Sequence, residues 1–138
     1  MTQEEKDLLL EDICGRIPYG VIGKFKNSDQ QIYGVFHDLL EGWQVYGVTS
    51  TESIDTVKPY LYPMTSLTEK QEEELKNMYY SLVNGMFYYT QRIWDSVPFG
   101  KMKYYPYQIE KYFNKHHIDY RGLIKRGLAI DASNLNIY

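Results

Sequence analysis

His116, His117 and Asp119 are the one local group in this sequence with acid/base or ligand character. Two imidazoles and a carboxylate so close together could move a proton near neutral pH or begin a metal site. A metal would need a third ligand from His37 or a distant carboxylate, which the sequence does not show. His116 falls seven residues after Ile109, on the apolar stripe of one helix. A half-buried histidine at a helix end is the structural alternative, because a cationic ring there complements the helix dipole. Cys14 is the single cysteine, which rules out an internal disulfide or a Cys-rich zinc site and reads as a small buried apolar side chain. Gly15 and Gly20 share the spacing of a phosphate-binding loop, but Val21 and Ile22 stand where its Lys and Ser or Thr would be. No Gly-x-Ser-x-Gly, His-Glu-x-x-His, Cys-x-x-Cys or dinucleotide fingerprint occurs. The expectation is no assigned catalytic residue, no metal and no cofactor, with the histidine cluster as the third-ranked reading.

Charge gives a stronger signal. Residues 1–84 hold seven Lys or Arg against fourteen Asp or Glu, while residues 85–138 hold eight against four, within an overall net charge of -3. The basic part interleaves cations with tyrosines, and its candidate binding surface is Lys101, Lys103, Tyr104, Tyr105, Lys111, Lys115, Arg121, Lys125 and Arg126. Such a stretch could contact phosphates and stack bases. The alternative is that it docks on the acidic helices of the same molecule.

Fifteen tyrosines take the aromatic content to 16%, several of them in adjacent pairs such as Tyr79 with Tyr80 and Tyr104 with Tyr105. Neighbours on a helix point about 100° apart, so one member of each pair must leave the centre of the buried stripe. Tyrosine suits that boundary, and the same amphipathic ring is enriched at interfaces. With 43% apolar and 24% charged residues, residues 1–138 are expected to fold as a single domain. The acidic opening MTQEEKDLLLEDI lacks the basic start of an export signal. No apolar run nears the roughly 20 residues that cross a bilayer. A reducing cytoplasm with no membrane association is the expected setting.

The elements that must position these residues follow from the pattern. Thr2 and Glu5 form a capping box ahead of a helix over Gln3 to Ile13, stopped by Gly15 and Pro18. From Gly20 the period shortens, and the runs Val21–Phe25, Gln31–Phe36 and Gly42–Val48 predict a three-stranded antiparallel meander with a polar turn at Lys26 to Gln30. Thr51 to Pro63, with two prolines, reads as a connector. Thr68 and Gln71 cap a long helix carrying Leu75, Met78, Tyr79, Leu82 and Met86 on one stripe, extended by Tyr89 and Ile93 and stopped by Pro98. A third helix from Pro106 to His116 turns Ile109, Tyr112, Phe113 and His116 inward. Asp119 then caps a short helix ending at Gly127, before an extended piece at Leu128 to Ile130. The predicted class is α+β: an N-terminal helix, the meander, two to three helices packing on the sheet, and a short C-terminal extended segment.

At Val57 to Glu69 and His116 to Asp131, and again in MTQEEKDLLL and Arg16 to Gly20, the chain resembles a group of small proteins of Bacteroidales bacteria, their prophages and mobile elements. That group has no assigned activity, and Gly85 to Tyr112 does not share its pattern. The resemblance implies bacterial or phage origin and carries over no site. The leading functional expectation is a non-catalytic accessory or interaction protein that binds a protein partner or itself, with a nucleic-acid-binding module over residues 101–126 as the alternative.

Overall fold

The computed structural model describes residues 1–82 and 105–138. Helix α1 (Gln3–Arg16) opens on the expected capping box, in which the Glu5 amide donates to Thr2 Oγ1 at 3.1 Å and the Thr2 amide to Glu5 Oε2 at 2.9 Å. It runs past Gly15 to Arg16, one turn beyond the expected end. Gly15 is held within it by a close approach, since a Cβ there would lie 3.0 Å from the Asn114 amide nitrogen. Pro18, in a tight 3-10 turn, and Gly20, at φ +76°, stop the helix instead.

Two sheets follow. Strands β1 (Ile22–Phe25) and β2 (Ser28–Gln31) form a hairpin, and β1 also pairs antiparallel with β6 (Lys58–Pro63). Strands β3 (Gly34–Asp38), β4 (Gly42–Tyr46) and β5 (Thr51–Ser53) form a separate antiparallel meander in that order. The predicted Gln31–Phe36 strand is therefore divided between sheets. The Ile32 amide bonds Val21 O on one side and the Tyr33 amide bonds Tyr46 O on the other. The expected polar turn is β2, which tolerates its polarity because buried Gln30 is fully engaged. Its Nε2 donates to Ser28 and Ser50 hydroxyls, and its Oε1 accepts the Thr49 amide at 2.8 Å.

The expected connector, Thr51 to Pro63, in fact holds β5 of the meander and then β6, the central strand of the larger sheet. β6 pairs parallel with β7 (Ile118–Asp119) through Tyr62 and Pro63, and parallel with β8 (Ile130–Asp131) through Tyr60 and Leu61. Prolines at the two ends of β6 mask a buried Tyr60-Leu61 centre.

Helix α2 (Glu69–Leu82) starts on its predicted Thr68 and Gln71 box, with Gln71 N donating to Thr68 Oγ1 and Thr68 N to Gln71 Oε1. Leu75 is buried, with Met78 and Tyr79 packed beside it. The expected continuation through Met86, Tyr89 and Ile93, and the stop at Pro98, lie outside the described residues. Helix α3 (Tyr107–Lys115) buries Ile109, Phe113 and Asn114, while Tyr112 is only partly buried and His116 is exposed at its end. After β7 the chain makes turns rather than the expected short helix, with Gly127 at φ +75°.

The apolar interior has two parts. One gathers Leu9 and Ile13 of α1 with Phe25, Val45 and Leu61 from the strands and Val21, Ile32 and Val57 beside their ends. The other joins Leu75, Tyr105, Ile109, Phe113 and Ile118. Between α1 and the second part lies a wholly buried ion pair, with Arg16 Nε 2.8 Å from Asp12 Oδ2 and Nη2 2.9 Å from Oδ1. The same guanidinium reaches the carbonyls of Ile118 at 2.7 Å and Phe113 at 3.4 Å. Arginine's planar fork suits this task, because it meets a carboxylate on one edge and two carbonyls elsewhere.

Candidate interaction surface

The sequence-predicted surface separates into three groups. Lys101, Lys103 and Tyr104 lie outside the described residues. Tyr105 is buried, edge-on to Phe113 at 5.0 Å between ring centroids, which removes it from any surface. Arg121 and Arg126 are turned back onto α1. Arg121 stands 3.2 Å from Glu11 and 3.3 Å from Asp12, with its guanidinium over the Tyr120 ring, and Arg126 lies 4.0 Å from Glu4. Part of the basic segment thus docks on the acidic helix of its own chain.

Lys111, Lys115 and Lys125 remain exposed. The first two sit one turn apart on α3, beside an open groove of about 330 Å³ whose other walls are Tyr19, Met78, Gln108 and Tyr112. Neither lysine has an ion-pair partner among the described residues. Lys111 Nζ stands 5.9 Å from the centre of the Tyr107 ring. Glu74 touches the Tyr112 hydroxyl at 3.4 Å, so one carboxylate tempers the positive charge of the groove without cancelling it.

His116, His117 and Asp119 do not converge. His116 packs on the Tyr112 ring at 4.4 Å. His117 takes the left-handed backbone that ends α3 (φ 59°) and stacks face to face on Tyr138, centroids 3.6 Å apart at 8°. The Tyr138 hydroxyl in turn accepts the Ile22 amide and donates to Tyr60 O, tying β1 to β6. Burial foremost, then the neighbouring Arg16 and His116 charges, pull the His117 imidazole down to about 4, and its Nδ1 has no hydrogen-bond partner. Asp119 caps the next turn as expected, its carboxylate accepting the Leu123 and Ile124 amides at 2.8 and 2.9 Å. Burial raises that carboxyl and the two amides counter it. Among the described residues, no three His, Cys, Asp or Glu side chains come together as metal ligands would. Cys14, expected to be buried, is exposed on α1.

A second surface was not anticipated. The β3–β4 hairpin turns through Leu39, Leu40 and Glu41, and its two leucines are 94% and 95% exposed. The turn does not need them. Asp38 Oδ1 accepts the Leu40 amide at 2.8 Å and the Glu41 amide at 3.4 Å, and Gly42 supplies the positive φ of 77°. Phe36 is 56% exposed on β3, and Tyr46 stands diagonally across on the same sheet face, with Val48 exposed beyond it. Val35, Trp43 and buried Val45 pack against the first core from the other face, so the hairpin is rooted while its tip is bare. β3 is also an edge strand, with no second neighbour among the described residues. The available signal was Asp-Leu-Leu-Glu-Gly between two strands, where turn chemistry asks for polar residues.

No helix among the described residues is long and apolar enough to cross a membrane. Comparison of the chain with protein-family models, curated proteins and solved structures finds no match in any of the three. The assignment that stands is therefore architectural: an α+β chain with an N-terminal helix, antiparallel strands and mixed pairing in its larger sheet.

Proposed function

We propose that this chain is a non-catalytic interaction protein, cytoplasmic and of bacterial, phage or mobile-element origin, which holds a protein partner or a second copy of itself through the β3–β4 hairpin. The observation that carries the reading is the pair Leu39 and Leu40, almost wholly in water on a turn whose geometry is already fixed by Asp38 and Gly42. Burying one such side chain in a partner is worth about 1.5–3 kcal/mol, and no cover for it is found among the described residues. Contiguous exposed apolar groups rimmed by polar ones mark contact sites more than solvated surface.

The test is a comparison of the wild type with Leu39→Ser/Leu40→Ser in chemical crosslinking and capture from a Bacteroidales lysate. The expected result is a defined set of partners, or self-crosslinks, present with the wild type and lost with the variant. Identical crosslinks from both would remove the hairpin from the function. The alternative, nucleic-acid binding, draws on exposed Lys111, Lys115 and Lys125 among the described residues, whereas Arg121 is engaged by Glu11 and Asp12 of α1 and Arg126 lies 4.0 Å from Glu4; Lys101, Lys103 and Tyr104 lie outside the described residues. Titration with DNA and RNA at two salt concentrations decides it, because phosphate contacts weaken steeply as salt rises. Negligible affinity at low salt would sink that alternative. The acid/base reading of His116, His117 and Asp119 draws no support from their divergent positions.

A further inference from the structure

We infer that the hairpin tip of one copy docks in the groove between α2 and α3 of the next, so that the chain associates with itself head to tail. This rests on the interaction reading above and names its partner. The tip presents two exposed leucines flanked by Asp38 and Glu41. The groove presents a largely opposite set: apolar walls from Met78 and the Tyr19 and Tyr112 rings, flanked by Lys111 and Lys115, with the Glu74 carboxylate at the Tyr112 hydroxyl offsetting part of their charge. An apolar wedge with carboxylates at its rim therefore meets an apolar slot with ammonium groups at its rim, on one molecule. Complementary rim charges set orientation and on-rate, and a leucine pair buried at the centre supplies the affinity.

The volume is compatible, since about 330 Å³ lies at the lower end of the range that holds compact ligand groups and the tip offers two small branched side chains. The turn geometry favours insertion as well. Asp38 holds the turn through the Leu40 and Glu41 amides, so the tip enters already ordered and loses little entropy on docking. Because tip and groove are different patches, the contact is heterologous: each copy keeps one free tip and one free groove, and association continues into rings or open chains.

Complementation tests this on the full chain. Leu39→Asp/Leu40→Asp disables the tip and leaves the groove, while Lys111→Glu/Lys115→Glu disables the groove and leaves the tip. All four positions are exposed, and circular dichroism checks that both variants fold. By sedimentation velocity the wild type should form species that grow with concentration and shrink with added salt. Each variant alone should lose roughly tenfold or more in association constant. An equimolar mixture should form a dimer that does not grow, since it has one working tip and one working groove.

A mixture that stays monomeric overturns the inference, as does either variant associating like the wild type, which is what symmetric pairing of β3 edges would give for the groove variant. A wild type that is monomeric throughout, yet makes hairpin-dependent crosslinks to another protein, removes the head-to-tail assembly and leaves the interaction reading standing. Loss of both removes both.

Discussion

Asp7-Leu8-Leu9-Leu10-Glu11 and Asp38-Leu39-Leu40-Glu41 are almost the same string, and the fold treats them in opposite ways. In α1 Leu9 is fully buried, with Leu8 and Leu10 packed against the core. In the hairpin both leucines stand in water. The helix rotates its three leucines so that one points straight at the strands and two flank it. A three-residue turn at the end of a hairpin projects its side chains away from both sheet faces, where no element among the described residues reaches them. Local sequence sets what a segment can bury. The element it joins decides whether burial comes from within the chain or from outside it.

The comparison can be broken most severely at the residue that anchors the buried run. Arg16→Ala removes both close contacts to buried Asp12, leaving it only Arg121 at 3.3 Å, and strands the Phe113 and Ile118 carbonyls, so it should cost about 4 kcal/mol, read as a lowered urea midpoint. A smaller loss follows at the run itself, where Leu9→Ala should cost about 3 kcal/mol while Leu39→Ala or Leu40→Ala should each stay within about 0.5 kcal/mol. Equal costs at the two runs would mean that the hairpin leucines pack against the fold after all.

Acid should sharpen the contrast by loosening the joint without touching the tip. His117 binds its proton near 6.5 in the unfolded chain and only at about 4 when folded, so its contribution is complete above pH 6.5 and is lost as pH falls toward 4. The ring is only partly buried, so solvent screening reduces the effect to about 1 kcal/mol between pH 7 and pH 5. His117→Gly should flatten that pH slope in urea titrations, and because glycine accepts the left-handed backbone freely, its cost at pH 7 should be smaller than that of His117→Ala.

Both capping boxes, the start of the first helix, the Ile109 and Phe113 half of the α3 stripe and the Asp119 cap were legible because they depend on neighbours three to five residues apart, whereas Tyr112 and His116, expected inward, lie partly buried and exposed. The expected meander failed where long-range contacts decided the outcome. Ser28–Gln31 is a poor strand by composition, and becomes one because Ser50 and the Thr49 backbone satisfy Gln30 from another segment. Lys58–Pro63 looked like a connector because its prolines are visible in sequence, whereas its partners at residues 118–119 and 130–131 are not. The candidate site was half readable. Charge asymmetry located the basic segment, yet Glu4, Glu11 and Asp12 claim its arginines through contacts that span over a hundred residues. The exposed tip passed unnoticed because two leucines beside strands suggest core until their surroundings are known.

Arg16 also imposes an order of events on the newly made chain. Its two carbonyl acceptors lie 97 and 102 residues further along. While the ribosome is still producing the strands, the inner end of α1 has a guanidinium and a carboxylate that cannot yet leave water. They become cheap to enclose only when residues 113–118 arrive with their carbonyls. Closure of the inner end of α1 therefore depends on chain made about a hundred residues later, and a chain that lacks residues 113–118 leaves that charged pair without two of its buried partners.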